Sequence, residues 1–108
     1  MDPDYLKDVF EPFGHVTPRR MFGGLGVFHD GLMIGLVADG LLYLKADEQS
    51  VPLFEDAGSR PFVYQGRNKP VRMSYWSVPD EAMDDPDAMR KWADCAYSAA
   101  LRSKKGSS

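Results

Sequence analysis

The chain has 108 residues, 44% hydrophobic and 27% charged, which suits one soluble domain large enough to bury a real core. Its formal charge is −3, from 13 Lys and Arg against 16 Asp and Glu, whereas a free-standing nucleic-acid binder carries a basic excess. No segment approaches the roughly 18 consecutive apolar residues of a membrane span, and the single cysteine, Cys95, precludes an intramolecular disulfide and suits a reducing cytoplasm.

The acidic start Met-Asp-Pro-Asp does not read as a secretory signal. Asp2 can cap a first helix with Pro3 at its first position, and Leu6, Val9, Phe10 and Phe13 form one apolar stripe. Pro12 ends or kinks this helix near Phe10 or Glu11. Pro18 places the extended segment from Val16 to Phe22 at a sheet edge or a strand start. Strands follow over Leu25–His29, Leu32–Ala38 and Leu41–Lys45, joined by Asp30-Gly31 and Asp39-Gly40 turns, as in an antiparallel meander. The continuous apolar run of Leu32–Ala38 predicts a central strand.

Asp47 can cap a second helix running from about Glu48 to Ala57, with Gly58 as its stop. Pro52 falls inside it, which predicts a late start or a kink; Val51, Phe54 and Leu53 are its candidates for facing the sheet. Pro61–Gln65 reads as a strand, residues 66–70 as a polar loop, and Val71–Val78 as a half-buried strand. Asp85, Pro86 and Asp87 open a last helix, with a stripe of Met89, Trp92, Ala93, Ala96 and Ala100 widened by Tyr97 and Leu101. The expected organisation is one domain over residues 1–103 and a polar tail over 104–108. The expected fold is α+β and two-layered: one twisted antiparallel sheet with helices on one face, in the order α-β(3–4)-α-β(2)-α.

The stretch Arg19-Arg-Met-Phe-Gly-Gly-Leu-Gly26 invites comparison with a phosphate-binding loop. Such a loop must open a helix, and Val27-Phe28-His29 leads instead into a hairpin turn; there is no Gly-Lys-Ser/Thr either. The glycines are therefore read as a bend or bulge between short strands.

The chain resembles the N-terminal domain of the TfoX/Sxy family. The resemblance rests on Arg20-Met-Phe-Gly-Gly24, Gly26-Val-Phe28 with Asp30-Gly31, Leu42-Tyr-Leu-Lys45 and Pro61-Phe-Val-Tyr64. Met73-Ser-Tyr-Trp76, Val78-Pro79 and the Trp92 helix with Ala96 and Ala100 complete it, so that it covers about Tyr5 to Leu101. It implies a secretion-chaperone-like α+β fold. It also implies kinship with bacterial regulators of competence genes that carry a second, C-terminal domain, of which this chain would be the N-terminal domain alone. The family supplies no catalytic residues.

No catalytic, cofactor or metal residue emerges from the sequence. His15 and His29 lie in no ligand spacing, and Ser74, Ser77 and Cys95 lie in no nucleophile motif. The acidic run from Asp80 to Asp87 reads as a loop and a helix N-terminus. Among the aromatic strand residues Tyr43, Tyr64, Tyr75 and Trp76, the last strand splits Arg72, Ser74 and Trp76 from Val71, Met73 and Tyr75. A face exposing Trp76 and Arg72 would be a contact surface, because Trp and Arg are enriched at hot spots; a helix or a second copy would equally cover it. The candidate interaction residues are Arg19, Arg20, Arg72 and Trp76.

The first functional reading is a non-enzymatic regulatory module in the cytoplasm, contacting a protein partner or a second copy through the sheet. The alternatives are nucleic-acid binding through Arg19, Arg20, Arg67, Lys69 and Arg72, or a small molecule held between sheet and helices.

Overall fold

The Asp2 carboxylate accepts the Tyr5 N–H at 2.8 Å and starts α1 (Pro3–Val9), with Pro3 where no N–H is needed. The computed structural model describes residues 1–21, 23–65 and 70–106. Four strands follow α1: β1 (Thr17–Met21), β2 (Gly24–His29), β3 (Leu32–Ala38) and β4 (Leu41–Lys45). Both Asp-Gly turns take the left-handed conformation, with φ +51° and +80° at Asp30 and Gly31 and +51° and +77° at Asp39 and Gly40. After α2 (Val51–Asp56) come β5 (Pro61–Gln65), β6 (Pro70–Ser77), α3 (Asp80–Asp84) and α4 (Pro86–Gly106).

All six strands form one antiparallel sheet in the order β1-β2-β3-β4-β6-β5. The α+β, two-layer expectation holds. β1, with Pro18, lies at an edge as expected, and β3 lies inside the sheet. Each helix sends buried residues into a single core: Leu6 from α1 with Phe10 at its C-cap, Phe54 from α2, Ala82 from α3, and Met89, Trp92, Ala93, Ala96 and Ala100 from α4. The sheet meets them with Leu25, Val27, Val37, Leu42, Leu44 and Trp76. Cross-strand partners share a face, and the register runs Val27–Gly35–Leu44–Trp76–Pro61.

One irregularity lies in β3. Val27 pairs with Gly35 and Phe28 with Met33, so Ile34 is an extra residue with no counterpart on β2. The bulge lets both Ile34 and Val37 join the core although three positions separate them, which strict alternation forbids.

The second helix starts late, as Pro52 suggested, but Asp47 is not its N-cap. That position falls to Ser50, while the Asp47 carboxylate accepts the Gln49 and Ser50 N–H groups, each at 3.1 Å, in a turn before the helix. Phe54 is fully buried and Val51 partly; Leu53 faces solvent, one position off the buried stripe. α3, built within a run read as a loop, buries Ala82. α4 continues through Gly106, and Lys104 near its end suits the negative end of a helix dipole. Leu101 is exposed rather than part of its buried stripe.

Candidate functional site

Among the described residues every helix packs on one side of the sheet, and none lies over the other face. Its composition follows from the register. One row runs Arg19–Gly26–Leu36–Tyr43–Ser77, flanked by Thr17–Phe28–Met33 toward one end and by Lys45–Tyr75 toward the other. Leu36 is only 3% exposed although it lies on this face and outside the core beneath the helices. Tyr43 and Phe62 lie with ring centroids 5.0 Å apart. The Arg19 guanidinium stands 5.3 Å from the Phe28 ring centroid and the Lys45 ammonium 5.3 Å from that of Tyr75, both within cation–π range. Burial pushes the Tyr75 phenol up to about 12, so it stays protonated at physiological pH. Leu41, at 56% exposure, ends the apolar strip.

The charges are segregated. None of the six strands contains an Asp or Glu; their charged side chains are Arg19, Arg20, Lys45 and Arg72. In a chain of net charge −3 the acids are thus confined to helices and connections, and the uncovered face is neutral to cationic.

The four residues singled out from the sequence do not form one patch. Arg19 lies on the uncovered face, whereas Arg20 pairs with Leu25 and so points to the helix side of the edge strand. Trp76 is 4% exposed and belongs to the core, which corrects the reading of it as a surface residue. The reason is topological: period two splits β6 into two faces, and the one carrying Trp76 meets the helices. Arg72 lies on β6 opposite Val63, but its side chain, like all of Arg67 and Lys69, lies outside the described residues. The alternation of exposed Leu41 and partly exposed Tyr43 and Lys45 with buried Leu42 and Leu44 was a usable signal for the uncovered face. Leu36 was hidden by the bulge.

The glycine cluster shapes backbone. Gly23 turns the chain between β1 and β2 with φ +75°. A Cβ on Gly24 would collide with the Val37 carbonyl, and one on Gly26 with the Met21 thioether, which fills that space. No helix follows, so no amide cradle for phosphate is formed.

Two other polar groupings are structural. The His29 ring packs edge-on against Phe13 and Tyr97, at 4.7 and 4.8 Å, and its Nδ1 donates to the His15 carbonyl at 2.6 Å. Tyr97 donates to Asp30 at 3.2 Å, tying the β2–β3 turn to α4. A groove of about 930 Å³ lies between α2 and the end of α4, lined by Lys45, Asp47, Trp76 and Arg102. Its guanidinium is already engaged by Asp47. Burial pushes the nearby Cys95 thiol up, away from the reactive thiolate. Among the described residues no cluster of His, Cys, Asp and Glu could hold a metal ion, and no helix is long and apolar enough to cross a membrane.

The model of the TfoX N-terminal domain matches residues 8–100. The chain is also similar to the DNA transformation protein TfoX1 of Aliivibrio fischeri, with 31% identity over 84 residues. That match covers 74% of this chain and 40% of the relative, so the chain spans well under half of the relative's length.

Proposed function

The chain belongs to the TfoX N-terminal domain family, and from that premise we propose that it is a non-enzymatic regulatory module that docks a protein partner on its uncovered sheet face. The name of its relative associates that protein with DNA transformation, and we assign this chain a regulatory part in the same process, acting in the cytoplasm. The observation that carries the reading is an acid-free sheet in an acidic chain, with aromatic and aliphatic groups between Arg19 and Lys45. That combination suits a protein segment bearing both acidic and apolar side chains.

Nucleic acid is the weaker reading. Duplex binding draws its affinity mainly from Lys and Arg side chains that neutralise several phosphates. The described part of the face offers Arg19 and Lys45, with Arg20 on the other side of the sheet.

A photo-reactive amino acid placed at Leu41, on the uncovered face, and separately at exposed Ser98 of α4 tests the proposal in living cells. Leu41 is expected to cross-link an acidic protein, identified by mass spectrometry, and Arg19→Glu with Lys45→Glu to abolish that adduct. Adducts from Ser98 alone, or adducts indifferent to the charge reversals, would refute the assigned face. Adducts with nucleic acid would replace the proposed partner class.

A further inference from the structure

The two edges of the sheet are built differently. β1 is protected three ways: it contains Pro18, it carries Arg19 and Arg20, and α1 packs against it. Among the described residues β5 carries no charge and has a proline only at its first position. It is bonded to β6 on one side only, its five residues are Pro-Phe-Val-Tyr-Gln, and Val63 at its centre is 42% exposed. An edge strand presents unpaired N–H and C=O groups, a template on which another chain can pair, and an edge without charges leaves that template open.

We propose that β5 is the pairing edge for a second copy of this chain, joined antiparallel about a two-fold axis through Val63. The sequence of the strand selects this occupant. In such an isologous contact residue 63 faces residue 63, 62 faces 64, and 61 faces 65. Positions 62 and 64, both aromatic in the sequence, then fall opposite one another in the register, and valine opposite valine, a favoured strand residue. Pro61, which has no N–H to offer, falls at the end of the ladder, where its lack costs least. No like charges meet, because the strand carries none. The product is a twelve-stranded sheet, twice the six strands of one chain. Phe62, already against Tyr43, lies beside the junction, so the uncovered faces of the two copies become continuous. The pairing does not depend on what those faces bind.

Sedimentation equilibrium of the full chain, together with amide hydrogen exchange, tests this. The expected mass is twice the 12.1 kDa of one chain, falling to that of one chain on Val63→Lys and staying doubled with Val63→Thr. Circular dichroism should be unchanged in both, since the position is on an exposed edge. Amides of β5 should gain protection as protein concentration rises, while those of β1 should not. A wild type that stays monomeric into the high micromolar range overturns the proposal. So does a dimer that survives Val63→Lys, or one dissolved by Tyr43→Glu but not by Val63→Lys.

Discussion

Arg102 grips Asp47 with two parallel hydrogen bonds, Nε to Oδ2 at 2.6 Å and Nη2 to Oδ1 at 2.9 Å. The contact joins residues 55 positions apart and fastens the end of α4 to the connection between β4 and α2. The same carboxylate accepts the Ser50 hydroxyl at 3.2 Å, and Ser50 is the one buried polar residue among those described. Asp47 therefore organises both the turn before α2 and the docking of the last helix.

The guanidinium, with help from the Ser50 backbone and hydroxyl, holds the Asp47 carboxyl at about 2, below its ordinary 3.8. A depressed carboxylate stabilises the fold above its unfolded value, and that contribution disappears as pH falls through the folded one. Asp47→Asn is expected to cost about 1 kcal/mol at neutral pH, less than the full shift implies because solvent screens a partly exposed pair. The gap between wild type and variant in urea denaturation should narrow between pH 4 and pH 2. A gap constant across that interval would show that the ion pair is not its source.

Trp76→Ala should destabilise the protein by about 3–5 kcal/mol, as expected for emptying a large core site. Tyr43→Ala, on the uncovered face, should cost about 1 kcal/mol, mainly through lost cross-strand contact with Leu36 and Phe62. Thermal and chemical denaturation of the two variants side by side check the assignment of faces. Equal costs would contradict it.

Gly24→Ala meets backbone, since its methyl would run into the Val37 carbonyl of the neighbouring strand pair. A loss of about 1–3 kcal/mol is expected from this overpacking. At Gly31, where φ is +80° and nothing lies within 4 Å, alanine should cost only the conformational strain, about 1 kcal/mol. Reversal of that ranking in melting experiments would mean that the β2–β3 strands are spaced differently.

The Asp85 carboxylate accepts the Asp87 and Ala88 N–H groups at 3.0 and 3.3 Å. Asp85→Ala removes this cap and should lower stability by about 1 kcal/mol, whereas Asp85→Asn should keep most of it. Asparagine behaving like alanine would point to charge at the helix start rather than to the hydrogen bonds.

Much of this architecture is legible before folding because it depends on local chemistry. The Asp-Gly turns demand positive φ, the Asp-Pro pair at residues 85 and 86 starts a helix, and Pro18 is excluded from interior strands. The site is less legible because it depends on which side of the sheet the helices choose. Alternation in β6 separates Trp76 from Tyr75 correctly but is silent about which of them meets α2 and α4. β3 conceals its own alternation, because the surplus residue at Ile34 makes a continuous apolar run of what are two half-strands of opposite phase. Asp47 was read from its type as a helix cap; its bond to Arg102 spans a distance that spacing cannot show.

That surplus residue also gives the strand slack. Losing Ile34 would leave Val27–Gly35 and Phe28–Met33 as successive pairs, with every other side chain still on its own face. The loss would cost one core side chain and not the phase of the strand, so this is the place where the domain can be shortened without turning its sheet inside out.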